Sequence, residues 1–128
     1  MVCPLDTNII IDLLRGLPAA VNWQQAQSNN RLRLAITPVV WLETVEGAEN
    51  RVERAQAIRF LRKFRVEHPT PDDNNWAMHQ FAQYHLSHSV DFPDVMIASV
   101  AVRLNVPLYT LNIKHYAPLP NLNDIRPY

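Results

Sequence analysis

Glycine and cysteine are scarce in this chain of 128 residues, which has two Gly and one Cys. The two glycines, Gly16 and Gly47, lie far apart. The phosphate-binding loops G-x-G-x-x-G and G-x-x-x-x-G-K-[ST] and the serine-hydrolase turn G-x-S-x-G each need two glycines within a few positions, so all three are excluded. Because Cys3 is the only cysteine, an internal disulfide and a zinc cluster built on several thiolates are excluded as well.

Long apolar segments are also missing. No apolar stretch approaches the ~20 residues that a membrane-spanning helix needs. The apolar residues near the N-terminus are interrupted by Asp6 and Asp12 and follow no basic segment, which is not the pattern of a signal peptide. We therefore expect a cytoplasmic protein that does not associate with membranes.

The charges balance, with 12 Lys+Arg against 12 Asp+Glu, while 48% of the residues are hydrophobic. Length and apolar content predict one folded domain over residues 1–128. A net charge of zero, taken alone, argues against a polyanionic partner. The cations are unevenly distributed, however, because half of them lie between positions 51 and 65 with Glu53 as the only acid among them.

Short apolar strands alternate with helices along the chain. We expect strands at 2–5, 32–36, 107–111 and 124–127. We expect helices from a Thr or Asn cap after Asp6 to Gly16, then at 18–28, from Pro38 to Gly47, and at 51–65, 71–86 and 95–104. This alternation predicts an α/β domain with a mostly parallel sheet, in which ligands bind beyond the carboxyl ends of the strands.

Three acidic residues stand out at or near that edge. Asp6 directly follows the first strand, Asp94 begins the apolar helix at 95–104, and Glu43 lies in a mostly apolar helix. Singly, Asp6 and Asp94 are explained as turn or cap residues and Glu43 as a solvent-facing position. Together, three adjacent carboxylates would repel one another unless a cation lay between them. Oxygen ligands favour Mg²⁺ or Mn²⁺, which typically serve phosphate chemistry.

These acids lie in sequence blocks whose order resembles the PIN-domain ribonucleases and, more closely, the VapC-type toxins of bacterial toxin–antitoxin pairs. The blocks are Leu5–Ile9, Ile36–Glu43, Pro93–Ala98 and Tyr109–Asn112, with His115 and Tyr116 following. The resemblance implies a three-layer α/β/α fold with a central, mostly parallel sheet. It also implies Mg²⁺- or Mn²⁺-dependent cleavage of RNA phosphodiester bonds, a cognate VapB-like antitoxin as partner, and a homodimer.

Position by position, Asp6 and Asp94 match the metal-binding aspartates of that family, and Glu43 matches the acidic residue between them. All three are therefore the expected catalytic residues. Thr110 matches a hydroxyl-bearing residue of the last block, and we expect Thr110 and Asn8 to support the metal ligands by hydrogen bonds.

The last block departs from the family at Asn112, where a further Asp is frequent. Asn112 can support the site through its amide but adds no charge, which favours one metal ion over two. Asp91 occupies a position that the family leaves variable, and is expected to be an exposed loop acid. His115 follows closely and could lie at the rim of the site.

The basic segment is a candidate RNA-binding surface, because arginine binds phosphates in a bidentate manner. Its candidate contact residues are Arg51, Arg54, Arg62 and Lys63. The alternative is the solvated face of an amphipathic helix. Apolar residues recur there at every third place, which we interpret as the buried stripe of one long helix: Val52, Ala55, Ile58, Leu61 and Phe64.

Three other functions remain open from the residues alone. An aspartate-nucleophile phosphatase needs a second Asp two residues after the first, where this chain has Asn8. A receiver-type signalling domain needs an acidic pair after the first strand and a late Lys, for which only Lys114 is available. A catalytically inactive PIN-like interaction module is the third alternative, suggested by Asn112.

Overall fold

The computed structural model describes residues 1–29 and 32–128. The strands are β1 (Val2–Pro4), β2 (Arg33–Ile36), β3 (Arg65–Val66), β4 (Leu108–Tyr109) and β5 (Asp124–Ile125). The helices are α1 (Thr7–Leu14), α2 (Pro18–Asn29), α3 (Pro38–Glu46), α4 (Arg51–Leu61), α5 (Pro71–Tyr84), α6 (Phe92–Leu104) and α7 (Ile113–Tyr116). The predicted alternation of strands and helices is confirmed.

All strand pairings are parallel. β2 pairs with both β1 and β3, and β4 pairs with β5. Leu5 joins the two groups, because its N–H donates to the Ala35 carbonyl at 2.9 Å while it forms a parallel bridge with Tyr109. The Asp6 N–H then donates to the Tyr109 carbonyl at 2.9 Å. The strands therefore run in the spatial order β3-β2-β1-β4-β5.

The chain adds strands first on one side of β1 and later on its other side. The first connections move outward to β2 and β3, whereas the chain later returns to the opposite side of β1 to form β4. Because crossovers between parallel strands are right-handed, this reversal puts the helices of the two halves on opposite faces of the sheet, as the expected three-layer arrangement requires. It also opens a crevice between the carboxyl ends of β1 and β4, where such folds bind ligands.

The helix predicted at 95–104 is the buried one. α6 buries seven of its residues: Asp94, Val95, Ile97, Ala98, Ser99, Val100 and Ala101. It begins at Phe92, and its N-cap is Asp91, so the interpretation of Asp94 as the N-cap is wrong. Asp94 is instead the third helical residue, whose side chain accepts a hydrogen bond from the N–H of Asp91 in a capping box.

The first helix also begins differently from the prediction. Its N-cap is Asp6, whose carboxylate accepts the Thr7 N–H at 2.7 Å, so the expected Thr or Asn cap is wrong and the interpretation of Asp6 as a cap residue is confirmed. One acid therefore ends β1, caps α1 and lies at the crevice.

The single long helix predicted over 51–65 is wrong at its C-terminal end. α4 ends at Leu61, and Arg65 belongs to strand β3, which the sequence did not predict. The predicted stripe holds only at its C-terminal end, because Leu61 and Phe64 are buried whereas Val52 is 67% exposed and the buried Ala57 lies outside the stripe. An α-helix turns by about 300° in three residues, so residues at every third position drift around the helix instead of sharing one face.

An ion pair between a buried Asp and a partly exposed Arg connects α5 to α6. Asp73 is 5% exposed, and its Oδ2 accepts hydrogen bonds from the Thr70 N–H at 3.0 Å and from Arg103 Nε at 2.8 Å. Thr70 in turn accepts the Asp73 N–H, which completes a capping box at the start of α5. Over residues 1–29 and 32–128, no helix combines the length and apolar character of a transmembrane segment.

Candidate active site

Asp6 lies at the carboxyl end of the sheet, 5% exposed, with its carboxylate surrounded by donors. Besides the Thr7 N–H on Oδ1, its Oδ2 accepts the hydroxyl of Thr110 at 2.7 Å and that of Tyr116 at 2.9 Å. The amide nitrogen of Asn8 lies 3.5 Å from the same oxygen. Together these hydrogen bonds hold the Asp6 carboxylate in one orientation.

The segment after β4 contributes the donor Thr110, which is fully buried. The Asn112 N–H donates to the Thr110 hydroxyl oxygen at 2.9 Å, which leaves that hydroxyl free to donate to Asp6. The side-chain oxygen of Asn8 accepts the Leu111 N–H at 3.3 Å, so Asn8 connects α1 to this segment. Asn112 is exposed, and its side chain makes no cap hydrogen bond to α7.

Asp94 is a second buried carboxylate, 9% exposed, at the start of α6. Burial, and then the negative charges of Asp6 and Asp91, raise its pKa to about 6, although the hydrogen bond from the Asp91 N–H and the proximity of His115 oppose the shift. His115 Nδ1 lies 3.5 Å from Asp94 Oδ2. Asp91 itself is exposed, as expected. Asp94 thus loses its proton with difficulty while Asp6 is charged.

Glu43 is half-buried on α3, and its Oε1 accepts the hydroxyl of Thr7 at 2.7 Å. Burial raises the pKa of Glu43, and the charges of Asp6, Glu46 and Asp91 raise it further, whereas the hydrogen bond from Thr7 lowers it. The interpretation of Glu43 as a merely solvent-facing position is therefore wrong. Thr7 links it to the N-terminus of α1, next to Asp6.

Tyr116 is the residue of this site that sequence reasoning missed. It is 1% exposed, and burial together with the charges of Asp6, Asp94 and Glu43 raises its pKa well above the ordinary value. The charges of all three predicted acids therefore act on one phenol, and Asp6 contacts it directly. The available signal was a hydroxyl-bearing aromatic residue directly after His115 in the last block.

The donor set suits a hard cation. It consists of carboxylate and hydroxyl oxygens, and the repulsion between Asp6 and Asp94 is of the kind that a divalent cation relieves. Within residues 1–29 and 32–128, however, no three His, Cys, Asp or Glu side chains form a ready-made metal cluster. The oxygen donors nevertheless have the chemistry of a hard divalent cation such as Mg²⁺, which usually keeps several of its waters.

The four basic candidates are exposed, but they lie outside this group. Arg51 and Arg54 are on the first turns of α4, and Arg62 and Lys63 directly follow it. α4 packs against α3, the helix that carries Glu43. Lys63 Nζ lies 5.4 Å from the centre of the Phe60 ring. These cations therefore lie on a surface next to the helix that carries Glu43.

A cavity of about 350 Å³ lies between α1, α3 and α4, and none of the three acids lines it. Its lining includes Ile11, Leu14, Arg15, Thr44 and Glu53. The three acidic residues and this cavity are thus separate features, since the acids lie at the edge of the sheet.

Comparison with known proteins gives a consistent result. A family model described as the PIN domain matches residues 4–117. The chain is 29% identical over 119 residues to Ribonuclease VapC19 of Mycobacterium tuberculosis, covering 92% of this chain and 94% of that protein.

Solved structures agree in fold. A toxin–antitoxin complex from Klebsiella pneumoniae matches with a TM-score of 0.76 and 26% identity, covering 98% of both chains. VapBC2 from Rickettsia felis, bound to a DNA fragment from its promoter, matches with a TM-score of 0.79 and 22% identity, again over 98% of both chains. The second likeness concerns the fold alone.

Proposed function

This chain belongs to the PIN-domain family, and from that premise we propose that it is a metal-dependent endoribonuclease that acts as the toxin of a VapC-type toxin–antitoxin pair. The relative named Ribonuclease VapC19, matched over 92% of the chain, supports the ribonuclease assignment. The toxin–antitoxin complex matched over 98% of both chains supports the toxin assignment.

The observation that carries the proposal is the pairing of Asp6 and Asp94 at the crevice between β1 and β4. Both carboxylates are buried, and the charge of Asp6 contributes to the raised pKa of Asp94. Keeping two buried anions close together costs free energy. The proposed function supplies the reason for that cost, because a divalent cation would neutralise both carboxylates and bind an RNA phosphate at the same time.

In this proposal Asp6 and Asp94 hold a Mg²⁺ ion, for which Mn²⁺ could substitute. When bound, such an ion supplies Lewis-acid stabilisation of charge on the phosphodiester. Thr110 and Tyr116 keep Asp6 in one orientation through hydrogen bonds of 2.7 Å and 2.9 Å. Asn8 supports the same carboxylate from α1, while Asn112 adds only its backbone N–H to Thr110, so a single ion is favoured.

Glu43 orients the attacking water and takes up its proton. Its raised pKa makes this carboxylate a stronger base than an ordinary Glu. The Thr7 hydroxyl, which donates to Glu43 Oε1 at 2.7 Å, holds that carboxylate on the side of Asp6. The phosphorus–oxygen bond to the leaving nucleotide then breaks as the water oxygen attaches, which yields two RNA fragments.

The decisive experiment is cleavage of RNA oligonucleotides by the purified protein in Mg²⁺, Mn²⁺ or EDTA. We expect cuts that require the metal, and their loss in Asp6→Asn and Asp94→Asn without loss of folded structure. Glu43→Gln should lower the rate by about 10²-fold or more. Asp72→Asn, the same change at an exposed position on α5, is the matched control. Full cleavage by Asp6→Asn would refute the assignment, and inertness of the wild type with every metal would favour an inactive interaction module.

The basic surface extends the proposal to substrate binding. Arg51, Arg54, Arg62 and Lys63 carry charges of the sign that RNA phosphates require, on a surface next to α3. Replacing the four with Gln should raise KM several-fold, leave kcat nearly unchanged and reduce the salt dependence of binding. An unchanged KM would show that these residues do not bind RNA and only form the solvated face of a helix.

The proposed partners are a VapB-like antitoxin and a second copy of this chain, and the proposed compartment is the cytoplasm. Expression of the chain should arrest growth, and co-expression of the small protein encoded beside it should relieve that arrest. Asp6→Asn should not arrest growth. Arrest by Asp6→Asn would separate toxicity from RNA cleavage. Sedimentation of the purified chain tests the homodimer.

A further inference from the structure

Phe92 differs from every other aromatic residue of this chain. All other Trp, Tyr and Phe side chains, which lie within the described residues 1–29 and 32–128, belong to the hydrophobic core or pack against it. Phe92 is 65% exposed and belongs to neither group. A phenylalanine contributes to stability mainly through the apolar area that it removes from water. In this position Phe92 contributes little to folding, so its ring is available for another contact.

The position of Phe92 connects it with the carboxylate site. It is the first residue of α6, between Asp91, the N-cap, and Asp94, the third helical residue. Two residues of extended chain span at most about 7 Å, so the backbone of Phe92 lies within that distance of the backbone of Asp94. The capping box, in which the Asp91 N–H donates to Asp94 Oδ2 at 3.1 Å, holds this helix end rigid. The ring therefore extends from the same helix end as Asp94 but on its solvent side, because side chains two positions apart in a helix point in directions about 200° apart.

The charge around the site limits how RNA can bind there. Asp6, Glu43, Asp91 and Asp94 act on one another as negative charges. These carboxylates offer no cation to the phosphates on either side of the scissile one, so contacts to the bases would add to binding at that point. Stacking of a base on an aromatic ring needs no positive charge and is worth up to about 100-fold in affinity per base.

From these observations, and resting on the proposed ribonuclease function, we propose that Phe92 is the stacking platform for an unpaired base beside the scissile phosphate. The substrate class is then RNA whose cleaved bond is flanked by at least one unpaired nucleotide, because a base inside a duplex offers no free face to the ring. Phe92 selects single-stranded segments and contributes to binding, whereas the carboxylates perform the cleavage.

The first test compares variants of Phe92 on a single-stranded RNA with a mapped cut. Phe92→Ala and Phe92→Leu should lower kcat/KM by about 5- to 100-fold, mainly through KM. Phe92→Tyr and Phe92→Trp should stay within about threefold of wild type, because they keep an aromatic face. Met78→Ala removes a comparably exposed apolar side chain, 68% exposed on α5, and should change nothing. The same RNA annealed to its complement should resist cleavage.

The second test asks whether the ring contacts a base. RNAs with an abasic nucleotide on either side of the cut are offered to wild type and to Phe92→Ala. One abasic position should reduce wild-type kcat/KM as much as the Phe92→Ala substitution does, and should have no further effect on that variant. A merely structural role of Phe92 would not produce this coupling.

Different results would overturn the proposed function and the role of Phe92. Absence of metal-dependent cleavage by the wild type overturns the proposed function, and this inference with it. Wild-type cleavage that Phe92→Ala leaves within twofold overturns this inference alone. So does a change of oligomeric state in Phe92→Ala but not in Met78→Ala, which would assign the ring to a contact between protein chains.

Discussion

The hydroxyl of Tyr116 donates a 2.9 Å hydrogen bond to Oδ2 of Asp6, between residues 110 positions apart in the sequence. Both residues are buried, and the same oxygen accepts the Thr110 hydroxyl at 2.7 Å. The last helix of the chain therefore helps to orient the first acidic residue. Tyr116 is a positioning residue, since it acts on the proposed chemistry through Asp6.

Tyr116→Phe should lower both stability and activity. Loss of a buried hydrogen bond to a carboxylate costs about 1.5–3 kcal/mol, which thermal and urea unfolding would measure. Activity should fall by less than in Asp6→Asn, because Thr110 still holds the carboxylate. The metal concentration giving half-maximal rate should rise, a readout that simple destabilisation does not move. Tyr84→Phe on α5 is the control, and an unchanged metal requirement would show that Tyr116 supports only the fold.

Asp94→Asn should stabilise the metal-free protein at neutral pH. Folding raises the pKa of Asp94 from 3.8 to about 6, so the wild type loses stability as pH rises through that interval and the neutral Asn does not. At 1.36 kcal/mol per pKa unit the advantage reaches at most about 3 kcal/mol above pH 7 and vanishes below pH 4.

The measurement is urea unfolding in EDTA between pH 3.5 and 8, with Asp72→Asn as a control that should keep the pH dependence of the wild type because it still has Asp94. Saturating Mg²⁺ should then stabilise the wild type and not Asp94→Asn, by the linkage of binding to folding. If the wild type were as stable as Asp94→Asn at pH 7.5 in EDTA, burial and repulsion would not destabilise the charged form of Asp94.

Arg103→Leu should destabilise the packing of α5 on α6. Asp73 is 5% exposed and would lose the guanidinium that lies 2.8 Å from its Oδ2. Leaving a buried carboxylate without its partner costs about 3–5 kcal/mol, less here because Arg103 is 35% exposed. Adding Asp73→Asn should restore part of the loss, since the amide is neutral and can still accept the Thr70 N–H. Additive losses in a double-mutant cycle would argue against the pairing.

The two glycines should respond oppositely to alanine. Gly16 has φ of +72°, and a Cβ added there would have no neighbour within 4 Å, so Gly16→Ala costs only backbone strain, about 1 kcal/mol. Gly47 ends α3 with φ of −72°, and an added Cβ there would meet atoms only at ordinary contact distances of 3.6 Å. Gly47→Ala should therefore be neutral or stabilising by about 0.4–1 kcal/mol. Equal unfolding midpoints for the two variants would contradict this reasoning.

Much of the fold was predictable because proline, acidic residues and apolar runs mark the element ends. Pro18, Pro38 and Pro71 each begin a helix where the sequence indicates one. The elements that the sequence did not predict are short, and the error in α4 concerns where the helix ends. β3 and α7 have two and four residues, too few for a periodic pattern to appear. The length of α4 was overestimated because cations and apolar residues continue past Leu61, where the chain turns into a strand.

Residue types and their order along the chain were sufficient for the family resemblance, the α/β alternation and the choice of the three acids as candidates. How those acids act on one another depends on the folded chain. Burial and mutual charge set the pKa of Asp94, and a hydrogen bond from distant Tyr116 orients Asp6. The exposed ring of Phe92 is likewise invisible in the sequence, since exposure is a property of packing. The sequence determines which chemical groups are present, whereas burial and the distances between groups in the folded chain determine their pKa values and interaction energies.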